Sequence, residues 1–180
     1  MKPVHEMSLE ELAAWVCQAL ADAGIQVVLT GGACVTVWTG GDYVSRDLDF
    51  VERGFASRHD IKDALDKLGF TESHRYFIHP DTEFLIEFPS GPLAVGDSPV
   101  TEIAERNNPT GRLHLLSAND CVKDRLAAWF HWRDRQALEQ AIKVARSQSV
   151  DVERLRSWAR AEHAEDSFGE FLDAIAADDE

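Results

Sequence analysis

The chain is short of positive charge. Its 180 residues carry 18 Lys and Arg against 32 Asp and Glu, a formal net charge of −14. Affinity for duplex nucleic acid comes mainly from basic residues that displace counterions, so broad duplex binding is excluded. No apolar run approaches the ~18–20 residues needed to cross a bilayer. The opening MKPVHEMSLEEL lacks the cationic-then-apolar order of a secretion signal, which makes a cytoplasmic location the expectation. Cysteines are few and scattered: Cys17, Cys34 and Cys121 form no Cys-x-x-Cys pair. That excludes a zinc ribbon or a disulfide framework and leaves reduced, buried thiols that behave as small hydrophobes. His74 and His79 lie five apart on an expected strand, on opposite faces, so they do not share a metal. Low-complexity segments and internal repeats are also missing.

What remains is ordinary globular material, 44% hydrophobic and 28% charged, enough for one domain or a domain with a small helical extension. Ser8-Leu-Glu-Glu11 is a capping box, and Leu9, Leu12, Ala13, Val16 and Leu20 then recur at helical spacing up to Gly24. Ile25–Leu29 reads as a buried strand. Gly31-Gly32 turns the chain into a short apolar helix over Ala33–Trp38, Gly40-Gly41-Asp42 forms a loop, and Leu48–Val51 is the next strand. Arg58–Leu68 is an amphipathic helix ended by Gly69. Arg75–Ile78 and Glu83–Phe88 flank a turn at His79–Thr82 and read as a hairpin. Arg112–Leu115 is a brief strand. After Ser117 the pattern turns helical, over roughly 117–131, 134–147, 151–162 and 166–177. The division is an α/β unit over residues 1–116 and a helical unit over 117–180, with Asp178–Glu180 as a solvated end.

Two segments carry chemistry. A Walker loop needs Gly-x-x-x-x-Gly-Lys-Ser/Thr, and Gly40-Gly41 is followed by Asp42-Tyr43 with no Lys. The dinucleotide pattern Gly-x-Gly-x-x-Gly is absent as well. Strand, Gly31-Gly32, helix is what survives: either a plain turn or backbone amides open to an anion. Asp47 and Asp49 stand two apart on a strand and therefore share a side, with Leu48 turned into the core. They either face water at a strand end or share a cation, and hard oxygen ligands suit Mg²⁺ or Mn²⁺. Glu87 lies in Phe84-Leu-Ile-Glu87-Phe, an apolar strand where it is either an edge acid or the third member of the set. Three such acids can hold the cations that position a triphosphate and activate a hydroxyl.

In this order the residues resemble the nucleotidyltransferase superfamily typified by DNA polymerase beta. The matching pattern is a hydrophobic residue, Gly31-Gly32, a spacer, and Asp47-Leu48-Asp49, with a later strand acid at Glu87. The spacer of fourteen residues, 33–46, is longer than usual, and Gly40-Gly41 fits the extra loop. Ser45-Arg46 resembles the Ser/Thr-rich lead-in of bacterial branches. Leu115-Leu-Ser-Ala-Asn-Asp120, Lys123-Asp-Arg125 and Trp132-Arg133-Asp134 are similar to the abortive-infection and minimal nucleotidyltransferase families. The resemblance spans roughly residues 25–146. It implies an α+β fold, a mixed β-sheet flanked by helices and followed by a C-terminal helical bundle. It also implies nucleotide contacts from Gly31, Gly32, Ser45, Arg46 and Lys123, and metal binding and catalysis by Asp47, Asp49 and Glu87. Asp134 would be an added acid that orients the acceptor. The implied reaction moves a nucleoside monophosphate from an NTP to a hydroxyl on a protein, a tRNA end or a small molecule. The alternative is a degenerate member of the fold that binds a partner protein, as in a toxin–antitoxin pair. Five tryptophans, most of them core by spacing, include Trp132 and Trp158, whose exposure would mark such a face.

Overall fold

The structure, a computed structural model, describes residues 2–177, so the expected solvated end at Asp178–Glu180 lies outside the described residues. Helix α1 (Leu9–Asp22) starts at the capping box: the Ser8 hydroxyl accepts from the Glu11 amide at 3.2 Å, and the Glu11 carboxylate accepts from the Ser8 amide at 2.8 Å. Its buried stripe is Leu9, Leu12, Ala13, Val16 and Leu20, joined by Ala14 and Cys17. Strand β1 (Val27–Thr30) is buried throughout. Helix α2 (Gly31–Trp38) follows with no turn between them. The two glycines thus make the expected turn as the first two residues of the helix, which was expected to begin at Ala33. Strand β2 (Asp47–Glu52) comes next, then helix α3 (Arg58–Asp66), opened by a second capping box between Ser57 and Asp60.

Strand β3 (Thr71–Ser73) had no sequence signal. It pairs through a tight turn at His74-Arg75 with β4 (Tyr76–Ile78). His74 takes the left-handed conformation there, with φ +57. Strand β5 (Leu85–Glu87) runs antiparallel to β4, as the expected hairpin requires. A small ribbon, β6 (Ala94–Val95) and β7 (Ser98–Pro99), stands apart. Strand β8 (Ile103–Asn108) then pairs with β9 (Gly111–Leu116). Four helices close the described chain: α4 (Ala118–Trp132), α5 (Arg135–Ser147), α6 (Val152–Ala161) and α7 (Glu165–Ala176).

The seven-stranded sheet has the order β3-β4-β5-β2-β1-β9-β8. It is mixed: β1 is antiparallel to β2, while β2 with β5 and β1 with β9 are parallel. The β1–β9 pairing is at Leu29 and Leu115. Beyond it Cys17 stands between the strands, accepting from the His114 amide at 3.4 Å and facing the Val27 carbonyl oxygen at 3.9 Å. The expected buried thiol is therefore a rung linking two strands.

One side of β2, β5 and β4 carries Leu48, Phe50, Ile86 and Phe77, all fully buried. Phe88 joins them, its ring 6.0 Å from Phe50 and 5.7 Å from Phe77. Helix α3 covers this side, with the Arg58 guanidinium 4.5 Å from the Phe77 ring centroid. The same continuous core includes Leu126, Leu138, Val144, Leu155 and Phe171 of the C-terminal helices. Burying these side chains at about 1.5–3 kcal/mol each supplies the main force holding sheet and helices together. Alternation puts Asp47, Asp49 and Glu87 on the other side of β2 and β5, with Val51 and Leu85.

Candidate active site

Strand pairing assembles the acidic set. Asp49 of β2 is the register partner of Glu87 on β5, and Asp47 is the partner of Leu85. Tyr76 of β4 is opposite Glu87, and Thr30 of β1 is opposite Asp49. One line across four strands therefore reads Tyr76, Glu87, Asp49, Thr30, with Asp47 two residues along on the same side. The Thr30 hydroxyl donates to the Asp49 carbonyl oxygen at 3.2 Å, which pins the strand end.

Crowding shows in the titration of Asp49. Its pKa is raised to about 6, first by burial and then by the Glu87 and Asp47 carboxylates, with Arg125 opposing and Asp124 adding. Asp124 and Arg125 belong to α4, so that helix faces the acidic side of the sheet. Three hard-oxygen donors crowded on one face suit a divalent cation, which would relieve their repulsion. Among the described residues, no three such groups yet converge as a finished metal cage. Glu87 has a partner of its own: its Oε1 is 3.5 Å from Nε of Arg75.

The glycines serve this set. Gly31 has φ +64, and a Cβ built there would come within 2.4 Å of Oδ2 of Asp49. Only glycine supplies both that backbone and that space. At Gly32 an added Cβ would meet the Ser45 hydroxyl at 3.1 Å and the Tyr43 ring at 3.4 Å. A chain of hydrogen bonds ties this turn to the acids. Thr36 Oγ1 donates to the Gly32 carbonyl oxygen at 3.2 Å and accepts from the Ser45 amide at 3.0 Å. Ser45 Oγ donates to the Asp47 carbonyl oxygen at 2.9 Å and accepts from the Asp47 amide at 3.3 Å.

The remaining residues named by the resemblance have these partners. Ser45 is buried on the Asp47 backbone, where it sets the strand entry. Arg46 has an exposed side chain 3.9 Å from the exposed Glu83, and its carbonyl oxygen accepts from the Leu85 amide at 3.0 Å, extending the β2–β5 ladder. Lys123 is turned inward: its Nζ is 3.0 Å from Oδ1 of Asp120, with the two side chains 9% and 6% exposed. Asp134 is the N-cap of α5, accepting from the Ala137 amide at 3.2 Å. Arg75, expected at the start of a strand, lies in the turn beside Glu87, and Arg125, part of the Lys123-Asp-Arg125 motif but given no role there, is held by Asp124 at 3.0 Å and Gln140 at 3.4 Å. Local sequence does not show that either faces the acids, because that depends on tertiary packing.

A scan against protein-family models finds no match, and a search of curated proteins finds none. Solved structures do match. An antigenic nucleotidyltransferase-like protein from Paracoccidioides brasiliensis superposes with a TM-score of 0.54 at 15% identity, over 76% of this chain and 74% of its own. The antibiotic-resistance factor ANT(2'')-Ia in solution gives 0.46 at 15% identity, over 86% of this chain and 95% of its own. ANT(2'')-Ia in complex with adenylyl-2''-tobramycin gives 0.49 at 13%, over 91% and 96%. At these identities a likeness establishes architecture, and activity has to be argued from the site. The fold of this chain, a mixed sheet flanked by helices, is nucleotidyltransferase-like.

Proposed function

We propose that the chain is a nucleotidyltransferase, moving a nucleoside monophosphate from an NTP to a hydroxyl acceptor. The observation that carries this reading is the register of Asp49 with Glu87, beside Asp47, on one face of a sheet. Asp47, Asp49 and Glu87 would hold Mg²⁺ or Mn²⁺. When bound, such a cation neutralises charge on the transferring phosphoryl group and the leaving oxygens. The chain's own residues do the rest. The Gly31 turn lets backbone come up against the Asp49 carboxylate without a side chain between. Thr36 and Ser45 hold the Asp47 peptide in place. A carboxylate of the set takes the proton from the acceptor hydroxyl. The acceptor oxygen then bonds to the α-phosphorus, and the bond from that phosphorus to pyrophosphate breaks.

The acceptor is a protein, a tRNA end or a small hydroxylated molecule. The test is incubation with each of the four α-labelled NTPs and Mg²⁺, with pyrophosphate release and self-labelling as readouts and an Asp47→Asn/Asp49→Asn control. Release that disappears in the control supports the reading. No release, together with no binding of any NTP, sinks it. One observation favours the partner-binding alternative: Trp132 is 81% exposed, although Trp158 is buried. Phe55 is exposed as well, and an exposed apolar side chain is by itself ordinary on a monomer. Co-purification with a protein partner that is lost on Trp132→Ala and kept in the acid-free control would turn the reading to that side.

A further inference from the structure

We propose that Arg75 competes with the divalent cation for Glu87, and that the guanidinium so released is the group that grips the nucleotide polyphosphate. This rests on the function proposed above and adds to it a built-in order of binding, cation first.

The placement argues for it. Arg75 sits in the tight β3–β4 turn, immediately before Tyr76, and Tyr76 is the register partner of Glu87. Its guanidinium lies 4.8 Å from the Tyr76 ring centroid and donates to the Tyr76 hydroxyl. That leaves its Nε 3.5 Å from Glu87 Oε1, with Asp47 adding a weaker attraction. A monovalent cation thus already stands beside one member of the acidic set.

The pair is built to be exchanged. The Arg75 side chain is 69% exposed, and ion pairs in such surroundings are weak. A divalent cation shared by three carboxylates offers Glu87 a stronger partner. The released guanidinium stays tethered over the Tyr76 ring, at the edge of the same face. Its planar fork suits the paired oxygens of a phosphate.

The other cations near the site have partners already. Lys123 is buried on Asp120, and Arg125 is held by Asp124 and Gln140. Arg46 stands on the exposed Glu83, 3.9 Å away. A chain with a net charge of −14 does not attract a polyphosphate by its overall field. The task falls to a local group, and Arg75 is the one whose present partner is itself a site residue.

The test separates two affinities. Free Mn²⁺ is measured by electron paramagnetic resonance as it is titrated with wild-type protein, Arg75→Gln and Arg75→Lys. Labelled ATP, GTP, CTP and UTP are then bound at saturating Mn²⁺. Arg75→Gln is expected to bind Mn²⁺ about two- to fivefold tighter, since an exposed competitor has been removed. The same variant should bind nucleotide about tenfold more weakly, since a charge-assisted phosphate contact is lost. Arg75→Lys should keep part of both. A role in folding alone would weaken both affinities together, and either that or an unmoved Mn²⁺ affinity overturns the inference. Wild type that binds Mn²⁺ and nucleotide, with Arg75→Gln unchanged, sinks the inference alone. Wild type that binds neither sinks the proposed function with it.

Discussion

On β2, Asp47 and Asp49 are two residues apart and share one face of a sheet. On α4, Lys123 and Arg125 are also two residues apart, and they do opposite things: Lys123 is buried on Asp120, while Arg125 acts on the Asp49 carboxylate. The contrast is geometric. Two steps along a strand return to the same side, whereas two steps along a helix turn through ~200°. On the strand, spacing and one buried neighbour are enough to place both carboxylates. On the helix, the spacing places neither cation until the packed face is known. The acids are thus firmly positioned by local rules, and the cations are positioned by how α4 meets the sheet.

The sharpest way to break this comparison is at Asp49. Asp49→Asn should lower pyrophosphate release by at least about a thousandfold, the scale of losing a main charge-bearing group in a phosphoryl-transfer site. Stability should move the other way. The folded pKa of about 6 lies above the unfolded value of about 3.9, so the folded state binds the proton more tightly. The resulting stability is present at acid pH and is lost as pH rises through about 6. With cation chelated, the ionised carboxylate costs the fold roughly 2–3 kcal/mol above that point. Asp49→Asn should therefore melt higher than wild type at pH 8 and no higher at pH 4. A variant that loses both activity and stability at pH 8 would show that the acids hold the fold and are not strained for a cation.

Lys123 is expected to show the converse pattern. Removing one partner of a buried ion pair leaves the other charge stranded, so Lys123→Ala should lose about 3 kcal/mol of stability. The double variant Asp120→Leu/Lys123→Met should recover most of that loss, and its KM for NTP should stay near wild type. If KM rises in Lys123→Ala while the melting temperature does not change, the lysine belongs to the nucleotide site after all, and the contrast with Arg125 collapses.

What could be read from the chain divides along the same line. The Ser8–Glu11 capping box, the acids of Asp47-Leu-Asp49 and the bounds of the four C-terminal helices follow from local chemistry, and they stand close to where spacing put them. Strand β8 was missed because Ile103–Asn108 reads Ile-Ala-Glu-Arg-Asn-Asn, with no apolar run. It is a strand because β9 offers it a ladder along its whole length. Arg75 was expected to open a strand; it falls in a turn because β3, which had no sequence signal, pairs with β4 from Tyr76 on. Ser45 was legible as part of a motif, but its hydrogen bonds to the Asp47 backbone were not, since they depend on how the loop closes.

Glycine substitutions test the link between strand and helix. Gly31→Ala must adopt φ +64 and push a methyl group into the Asp49 carboxylate. It should lose about 2 kcal/mol and most of the transfer rate. In Gly32→Ala the nearest atoms are the Ser45 hydroxyl and the Tyr43 ring, at 3.1 Å and 3.4 Å, and a small shift accommodates the methyl group. Equal losses in the two variants, measured by thermal melts and initial rates, would mean that close approach to Asp49 is not what Gly31 is for.

The smallest effect is expected at Asp134, where the two halves differ most in what sequence alone implied. By resemblance this residue orients the acceptor. In the structure its carboxylate accepts from the Ala137 amide and starts α5. A cap is replaceable by any residue with a suitable side-chain oxygen. Asp134→Ser should therefore leave stability and rate unchanged, and Asp134→Ala should lose about 1 kcal/mol, with the rate intact once the protein is folded. An acid acting on the acceptor would give a different order: Asp134→Ser would fold as well as wild type and still lose the rate. Comparing the serine variant in a thermal melt and in a single-turnover assay distinguishes the two roles. A rate loss with a normal melt would return Asp134 to the site, and α4 and α5 would then contribute an acid as well as a cation to the face that β2 and β5 present.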